Sequence, residues 1–277
     1  MSMFYRFPGG LKKALSLSYD DGVEQDIRLM EILDKYGIRC TFNLNSGCYA
    51  AEGTTYPAGH IHRRMSASQV AKVYANPNHE VANHCLTHAS LTELSPAQIV
   101  HEVMADRENL EAMFGGLVRG LAYPFGTYSD AVVEALRATG VAYARTVVST
   151  NNFDIPQDWL RLHPTCHHNA PNLEQLCERF LADTAPFGSR LFYLWGHSYE
   201  FEANDNWDVI ERFCQKMSGR DDIWYATNIE IVDYVNACRA IRTSADGKTF
   251  HNPTAIDVWA DVDGKRVCLK AGETVRV

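Results

Sequence analysis

The regular alternation of short apolar segments with helical periodicities constrains the fold of this chain more than any other feature of its sequence. Strands are predicted at 13–18, 39–44, 79–83, 117–122, 141–147, 190–196 and 222–226. Helices are predicted at about 23–36, 66–75, 96–114, 130–139, 173–183, 206–217 and 229–240. Seven βα repeats favour an α/β fold, a distorted seven-stranded (β/α) barrel, and leave a doubly wound parallel sheet open as the alternative.

The last part of the chain has a different pattern. Ala255 to Ala260 and Lys265 to Leu269 are short apolar alternations joined through Asp263-Gly264, a pair that suits a hairpin turn. We therefore expect a barrel over residues 1–242 and a small C-terminal β appendage over residues 243–277, with no linker between them.

Polar motifs follow four of the predicted strands at the point where each strand ends. They are Ser18-Tyr19-Asp20-Asp21-Gly22, His84-Cys85-Leu86-Thr87-His88, Tyr123-Pro124-Phe125-Gly126 and Trp195-Gly196-His197. In a (β/α) barrel the catalytic groups come from the C-terminal ends of different strands, so these motifs are expected to converge in space.

The first two motifs have the residue types of a metal site. Adjacent carboxylates at a strand end point in different directions, which lets one bind a metal while the other stays free as a base. Two imidazoles four residues apart can close on one ion. Asp21, His84 and His88 together offer two nitrogens and one oxygen, a set that suits zinc and leaves positions open for water and substrate.

Each motif alone also has a simpler interpretation. Acidic residues are common at a helix N-terminus, where the helix dipole favours negative charge. The Pro124 loop could be an ordinary turn, and a lone histidine such as His197 after a buried strand is often a core residue.

Taken in order, the four motifs resemble the polysaccharide deacetylase family of metal-dependent carbohydrate esterases, over roughly residues 12 to 240. That family typically carries Thr-Phe-Asp-Asp-Gly first and His-(Ser/Thr)-x-x-His second, where this chain has Cys85 in the Ser/Thr place. The resemblance implies one divalent ion, with Zn²⁺ expected, on Asp21, His84 and His88. It also implies that Asp20 is the base, that the Phe125 amide is the oxyanion donor, and that His197 is the acid.

The chain departs from the family pattern at two places. The arginine that usually stands two residues before the proline of the third motif, and pairs with the base, is replaced by Ala122. We expect Arg145 or Arg161 to take its place, with Arg145 preferred because it ends the fifth strand; pairing with a loop acid such as Asp154 is the alternative. The fourth motif, Asp-x-x-Asp-Trp, is only approximated by Asp154, Asp158 and Trp159.

Four aromatic or proline residues near these motifs are expected to contact substrate: Tyr123, Pro124, Trp159 and Trp195. Aromatic rings with amide and imidazole groups in the loop 148–171 suit a saccharide, and they equally suit a loop that packs on itself. That loop also holds His163, His167 and His168, but without a local carboxylate partner a structural or solvated role is favoured over a second metal site.

The resemblance therefore implies an amide hydrolase that removes an N-acetyl group from a saccharide containing an amino sugar. A non-sugar amide or ureide hydrolase, an O-deacetylase and a catalytically silent saccharide-binding relative stay open as alternatives. The net charge of −8, with no lysine or arginine run, disfavours nucleic acid and anionic membranes as partners.

The cysteines and the N-terminus lead to an expectation about location. Eight cysteines without a Cys-x-x-Cys pair are expected to be reduced thiols. No signal-peptide pattern and no uncharged span of 18 residues is present. We expect a cytoplasmic protein and leave a homo-oligomer open.

Overall fold

The computed structural model describes residues 2–277 and contains the distorted (β/α) barrel that the sequence predicts. Eight parallel strands form its sheet: β2 (Lys13–Asp20), β3 (Cys40–Leu44), β4 (Glu80–Asn83), β5 (Gly120–Ala122), β6 (Tyr143–Arg145), β7 (Cys166–His167), β8 (Arg190–Gly196) and β9 (Ile223–Tyr225). The strand order is β6-β5-β4-β3-β2-β8-β7, and β9 pairs with β2.

The first strand of the barrel, β2, is the centre of this sheet. One of its edges pairs with β8 from Lys13 to Tyr19, while the other pairs with β9 over residues 13–15 and with β3 over residues 17–20. All eight of its residues are buried, so its polar side chains need partners inside the protein. Ser16, for example, donates a hydrogen bond to the Asn228 side chain over 2.6 Å.

Over residues 2–277, eight α-helices connect or follow these strands. Their bounds are α1 (Gln25–Lys35), α2 (Ala67–Val73), α3 (Pro96–Phe114), α4 (Asp130–Arg137), α5 (Leu173–Ala182), α6 (Tyr199–Ala203), α7 (Asp208–Met217) and α8 (Asn228–Ala240). α3 begins at the capping box that the sequence indicates, in which Ser95 and Gln98 exchange hydrogen bonds. Leu33 of α1 and Phe213 of α7 pack with Leu17 of β2 in the largest apolar cluster.

The end of the chain forms two small antiparallel sheets. The predicted hairpin is present as β12 (Val258–Val262) and β13 (Lys265–Leu269), and its turn residues Asp263 and Gly264 both have positive φ. An N-terminal strand, β1 (Met3–Arg6), pairs antiparallel with β12. The second sheet contains β10 (Arg242–Thr243), β11 (Thr249–His251) and β14 (Thr274–Arg276).

The strands β1 and β7 and the helix α6 are not predicted from the sequence. β7 has two residues and α6 has five, so neither is long enough to show a periodicity. Over residues 2–277 the eight cysteines form no disulfide, and no helix is long and apolar enough to cross a membrane.

Candidate active site

The carboxyl ends of the barrel strands bring the first motif together with the others. Asp20 is the last residue of β2 and only 2% exposed, and Asp21 follows it with φ of +88°. The Asn43 amide donates to Asp20 Oδ1 over 2.8 Å, and the Arg145 guanidinium pairs with Asp20 Oδ2. Burial by itself would raise the pKa of Asp20, but the Arg145 charge, with smaller contributions from His84 and His197, holds that pKa below its ordinary value.

Arg145 reaches Asp20 because of the strand register. In the pairing of β5 with β6, Ala122 lies directly opposite Arg145, so the guanidinium enters the site from the position next to the missing arginine. The Arg145 side chain is 1% exposed and lies over the Trp195 ring, 4.5 Å from its centroid. Arg161 instead pairs with Asp158 and Asp130.

A group of three side chains that could hold a metal ion lies beside Asp20. The ligand atoms of Asp21, His84 and His88 lie within 4.8 Å of one another. His84 Nδ1 lies 2.8 Å from the Ala122 carbonyl oxygen, which can only accept, so Nδ1 carries the proton and Nε2 keeps a lone pair for a ligand. Burial lowers the pKa of His84 to about 4, so this imidazole is neutral near pH 7. One carboxylate and two neutral imidazoles fit a divalent ion such as zinc.

Two residues of the loop 45–65 hold the Asp21 carboxylate. Arg64 Nη2 lies 2.9 Å from Oδ1, and His62 Nε2 lies 3.3 Å from Oδ2. Burial opposes ionisation of Asp21, but the His62 hydrogen bond and the Arg64 charge bring its pKa well below the ordinary value. The sequence indicates only that this loop is long enough to wall a groove.

Two carboxylates of α3 fix the loop between His84 and His88. Asp106 accepts hydrogen bonds from the His84 and Ser46 backbone N–H groups, over 3.2 and 2.6 Å. Glu102 accepts from both the N–H and the hydroxyl of Thr87, each over 2.8 Å. Sequence reasoning missed both acids because a carboxylate within a helix does not show whether it faces solvent or a neighbouring loop; their spacing of one helical turn is the only signal.

His197 lies across from the carboxylates, directly after β8. Its Nε2 is 3.8 Å from Asp20 Oδ2, and its Nδ1 is 3.5 Å from Glu200 Oε1. Burial acts to lower the pKa of His197, but Glu200, Asp20 and Asp21 together raise it above the ordinary value. The site thus contains a carboxylate that favours the ionised form and an imidazole that favours the protonated form.

Phe125 and the predicted substrate contacts occupy different surroundings. Phe125 has φ of +57°, the residue is 65% exposed, and its ring centroid lies 4.5 Å from that of His88. Tyr123 is buried and donates its hydroxyl hydrogen to the Leu160 carbonyl, and Pro124 is also buried. Trp159 contacts α8, where its indole donates to Asn236, while Trp195 lies under the Arg145 guanidinium.

The segment that carries most of these site residues matches a known family of hydrolases. Residues 9–144, which contain Asp20, Asp21, His84, His88 and Phe125, match the family model of polysaccharide deacetylase. Over this part of its length the chain is similar to the polysaccharide deacetylase family.

Curated relatives agree with this family. A chitooligosaccharide deacetylase of Bradyrhizobium sp. (strain ANU 289) is 26% identical over 177 residues, which are 63% of this chain and 67% of that protein. A second, from Sinorhizobium fredii (strain NBRC 101917 / NGR234), is 26% identical over 173 residues, covering 61% and 66%. The matched part is about two thirds of each relative's length.

Solved structures share the fold. A Mycobacterium smegmatis protein assigned to the polysaccharide deacetylases superimposes with a TM-score of 0.59 at 17% identity, covering 84% of this chain and 93% of the other. A family 4 carbohydrate esterase from Streptomyces lividans, in complex with acetate, gives a TM-score of 0.50 at 18% identity, covering 78% and 93%.

Proposed function

We propose that this protein is a metal-dependent hydrolase that removes N-acetyl groups from saccharides containing amino sugars. The observation that carries the proposal is the placement of Asp20 and His197, with Nε2 and Oδ2 3.8 Å apart, beside the donor group Asp21, His84 and His88. The relatives named as chitooligosaccharide deacetylases support an N-acetylated sugar as substrate.

Asp21, His84 and His88 would hold one divalent ion, and their donor set favours Zn²⁺. When bound, such an ion supplies Lewis acidity, which lowers the pKa of water and polarises a carbonyl group. Because Asp21 is anionic and His84 is neutral near pH 7, both are ready to act as ligands.

The residues around this group divide the proton transfers between them. Asp20 takes a proton from the attacking water, and its carboxylate is oriented because Asn43 and Arg145 each hold one oxygen. The Phe125 N–H stabilises the tetrahedral oxyanion, a contribution of about 3 kcal/mol in comparable sites. His197 then gives a proton to the departing nitrogen, so acetate leaves and a free amine remains.

The test is a release assay with zinc-loaded protein on N-acetylated chitooligosaccharides. We expect acetate and free amine in a one-to-one ratio, and neither product from the Asp20→Asn variant. Acetate only from O-acetylated saccharides would identify an O-deacetylase, and hydrolysis only of ureides would identify a non-sugar amidase. Saccharide binding with no turnover of any substrate would indicate a silent relative. The cytoplasmic location stays a prediction.

A further inference from the structure

Glu200 of α6 lies at the centre of three imidazoles. Its Oε2 is 3.1 Å from His167 Nε2 and 3.0 Å from His168 Nε2, and its Oε1 is 3.5 Å from His197 Nδ1. These four residues, here called the Glu200 cluster, lie outside the residues 9–144 that match the family model. The sequence alone offers no carboxylate partner for His167 and His168. In the structure, Glu200 of the helix that follows β8 is that partner.

Such a cluster could bind a cation or share protons, and the hydrogen bonds of His167 decide between the two. The backbone N–H of Asn169 donates to His167 Nδ1 over 3.1 Å, so Nδ1 holds a lone pair and the proton of the neutral ring is on Nε2. A metal-bound histidine has the opposite arrangement, with its second nitrogen donating. Nε2 of His167 therefore presents a proton to Glu200, and the cluster favours an anionic carboxylate over a metal ion.

His168 makes the cluster rigid. Its side chain has no exposed area and stacks against Phe201 and Tyr19, with ring centroids 4.1 and 5.7 Å away. At Gly196 a Cβ would overlap the His168 ring, so the strand that leads to His197 passes close against it. The imidazoles of His167 and His168 both lie at Oε2 of Glu200, and the other oxygen, Oε1, faces His197.

We propose that Glu200 is the positioning residue of His197. Its Oε1 accepts the Nδ1 proton, so that Nε2 faces Asp20 and the substrate, and its negative charge stabilises the imidazolium form. His167 and His168 hold Oε2 and keep the carboxylate ionised. The expected effect on catalysis rests on the proposed role of His197 as the acid, whereas the pairing of Glu200 with His197 does not.

Several other titratable groups surround His197. The titratable groups near it are Asp20, Asp21, His88, His167, His168, Tyr199 and Glu200. Asp20 and Asp21 also favour the imidazolium, but the structure places Asp20 on the Nε2 side, while Glu200 is the carboxylate at Nδ1. Only Glu200 can therefore select which nitrogen faces the substrate.

The test compares Glu200→Gln with the matched control Glu202→Gln, a glutamate of the same helix that pairs with Arg63. In zinc-loaded protein with ¹⁵N-labelled histidine, NMR should show a lower His197 pKa in Glu200→Gln and an unchanged one in Glu202→Gln. The basic limb of the kcat/KM profile should move to lower pH. We expect kcat to fall at least about 10-fold with KM nearly constant, an effect smaller than the roughly 10²–10⁴-fold that a general acid itself contributes.

Glu200→Asp is the second variant and covers a folding failure of Glu200→Gln. Its shorter side chain should lower the His197 pKa by a smaller amount and keep part of kcat. A His197 pKa that is unchanged in both folded variants would overturn the proposal. So would metal analysis showing two ions per chain, with one lost in His167→Ala. If the proposed function is wrong, the unaltered protein releases no amine. The NMR measurement of the His197 pKa does not depend on that activity.

Discussion

A buried carboxylate needs a fixed counter-charge, and the pair of Asp20 with Arg145 supplies it. Both side chains are at most 2% exposed, so removing one would leave the other as an uncompensated buried charge, at a typical cost of about 3–5 kcal/mol. Ala122 and Arg145 are opposite each other in neighbouring strands. An arginine at either position could therefore place its guanidinium beside Asp20 without a shift of the Asp20 carboxylate.

The first prediction concerns the pH dependence of activity. The Arg145 charge lowers the pKa of Asp20, so in Arg145→Ala the base takes up its proton at higher pH and the acidic limb of kcat/KM moves to higher pH. Arg161→Ala is the control, because Arg161 pairs with Asp158 and Asp130. An acidic limb at the same pH in folded Arg145→Ala and in the unaltered protein would show that Arg145 does not tune the base.

The second prediction separates the base from the metal ligand. Asp20→Asn should keep its zinc while turnover falls by at least about 10²-fold, the lower end of what a general base contributes. Asp21→Asn should lose most of its zinc, because an amide is a poorer ligand than a carboxylate. Metal content per chain and acetate release measure both effects. The reverse pattern, with zinc lost from Asp20→Asn and kept by Asp21→Asn, would exchange the two assignments.

The sequence predicts those site residues that stand directly at strand ends. Asp20, His84 and Arg145 follow or end apolar segments, so their meeting at the barrel mouth depends only on parallel strands. Arg64 and Glu200 could not be placed in this way. Arg64 comes from a long irregular loop, and Glu200 from a five-residue helix, and neither context has a periodicity that fixes where a side chain points.

At the scale of elements, α3 acts as a support for the loop that carries two candidate ligands. Cys85 and His88 both have positive φ, a conformation that costs energy for residues other than glycine. Glu102 and Asp106 offset this by accepting four hydrogen bonds, three of them from that loop and one from Ser46. A helix that covers the barrel therefore also sets the positions of His84 and His88.

The third prediction tests this support. Glu102→Gln loses one of two acceptor oxygens facing Thr87, so the loop should hold its imidazoles less firmly. We expect the zinc dissociation constant to rise about 10- to 100-fold, as is typical for groups that orient metal ligands. Glu108→Gln, at an exposed position of the same helix, is the control. Chelator competition gives both constants, and equal zinc affinity in the two variants would contradict the role of Glu102.

Element boundaries show where sequence patterns stop being informative. α3 is predicted over 96–114 and observed at Pro96–Phe114, since a capping box begins it and Gly115, with φ of +72°, ends it. The segment 141–147 yields a strand of only three residues, Tyr143–Arg145, and Cys166–His167 gives no strand signal at all. In both segments the length of the strand is set by hydrogen bonds to neighbouring strands that are distant in sequence.

At the scale of the whole molecule, the C-terminal sheet is joined to the start of the chain. β1 pairs with β12, and Arg6, which is 2% exposed, forms an ion pair with Asp261 over 2.7 Å. The Tyr234 hydroxyl of α8 donates to the Arg6 carbonyl and accepts from the Trp259 N–H. No local pattern could join residues 3–6 to residues 258–262, although the hairpin itself follows from its Asp-Gly turn.

The last prediction is that the barrel over residues 1–242 depends on the residues that follow it. A chain ending at residue 242 leaves β1 without its partner strand, and it exposes apolar side chains such as Phe7 and Val235 that pack in one cluster with Val258 and Leu269. Losing the burial of these two apolar side chains costs about 3 kcal/mol or more, which lowers Tm by at least about 6 °C at roughly 2 °C per kcal/mol. The control ends at residue 272 and removes only β14, at the edge of the second small sheet, so its Tm should stay closer to that of the full chain. Calorimetry of the three chains decides the matter: if the chain ending at residue 242 melts with the full-length Tm, the barrel is an independent domain and the strands beyond it only cover its surface.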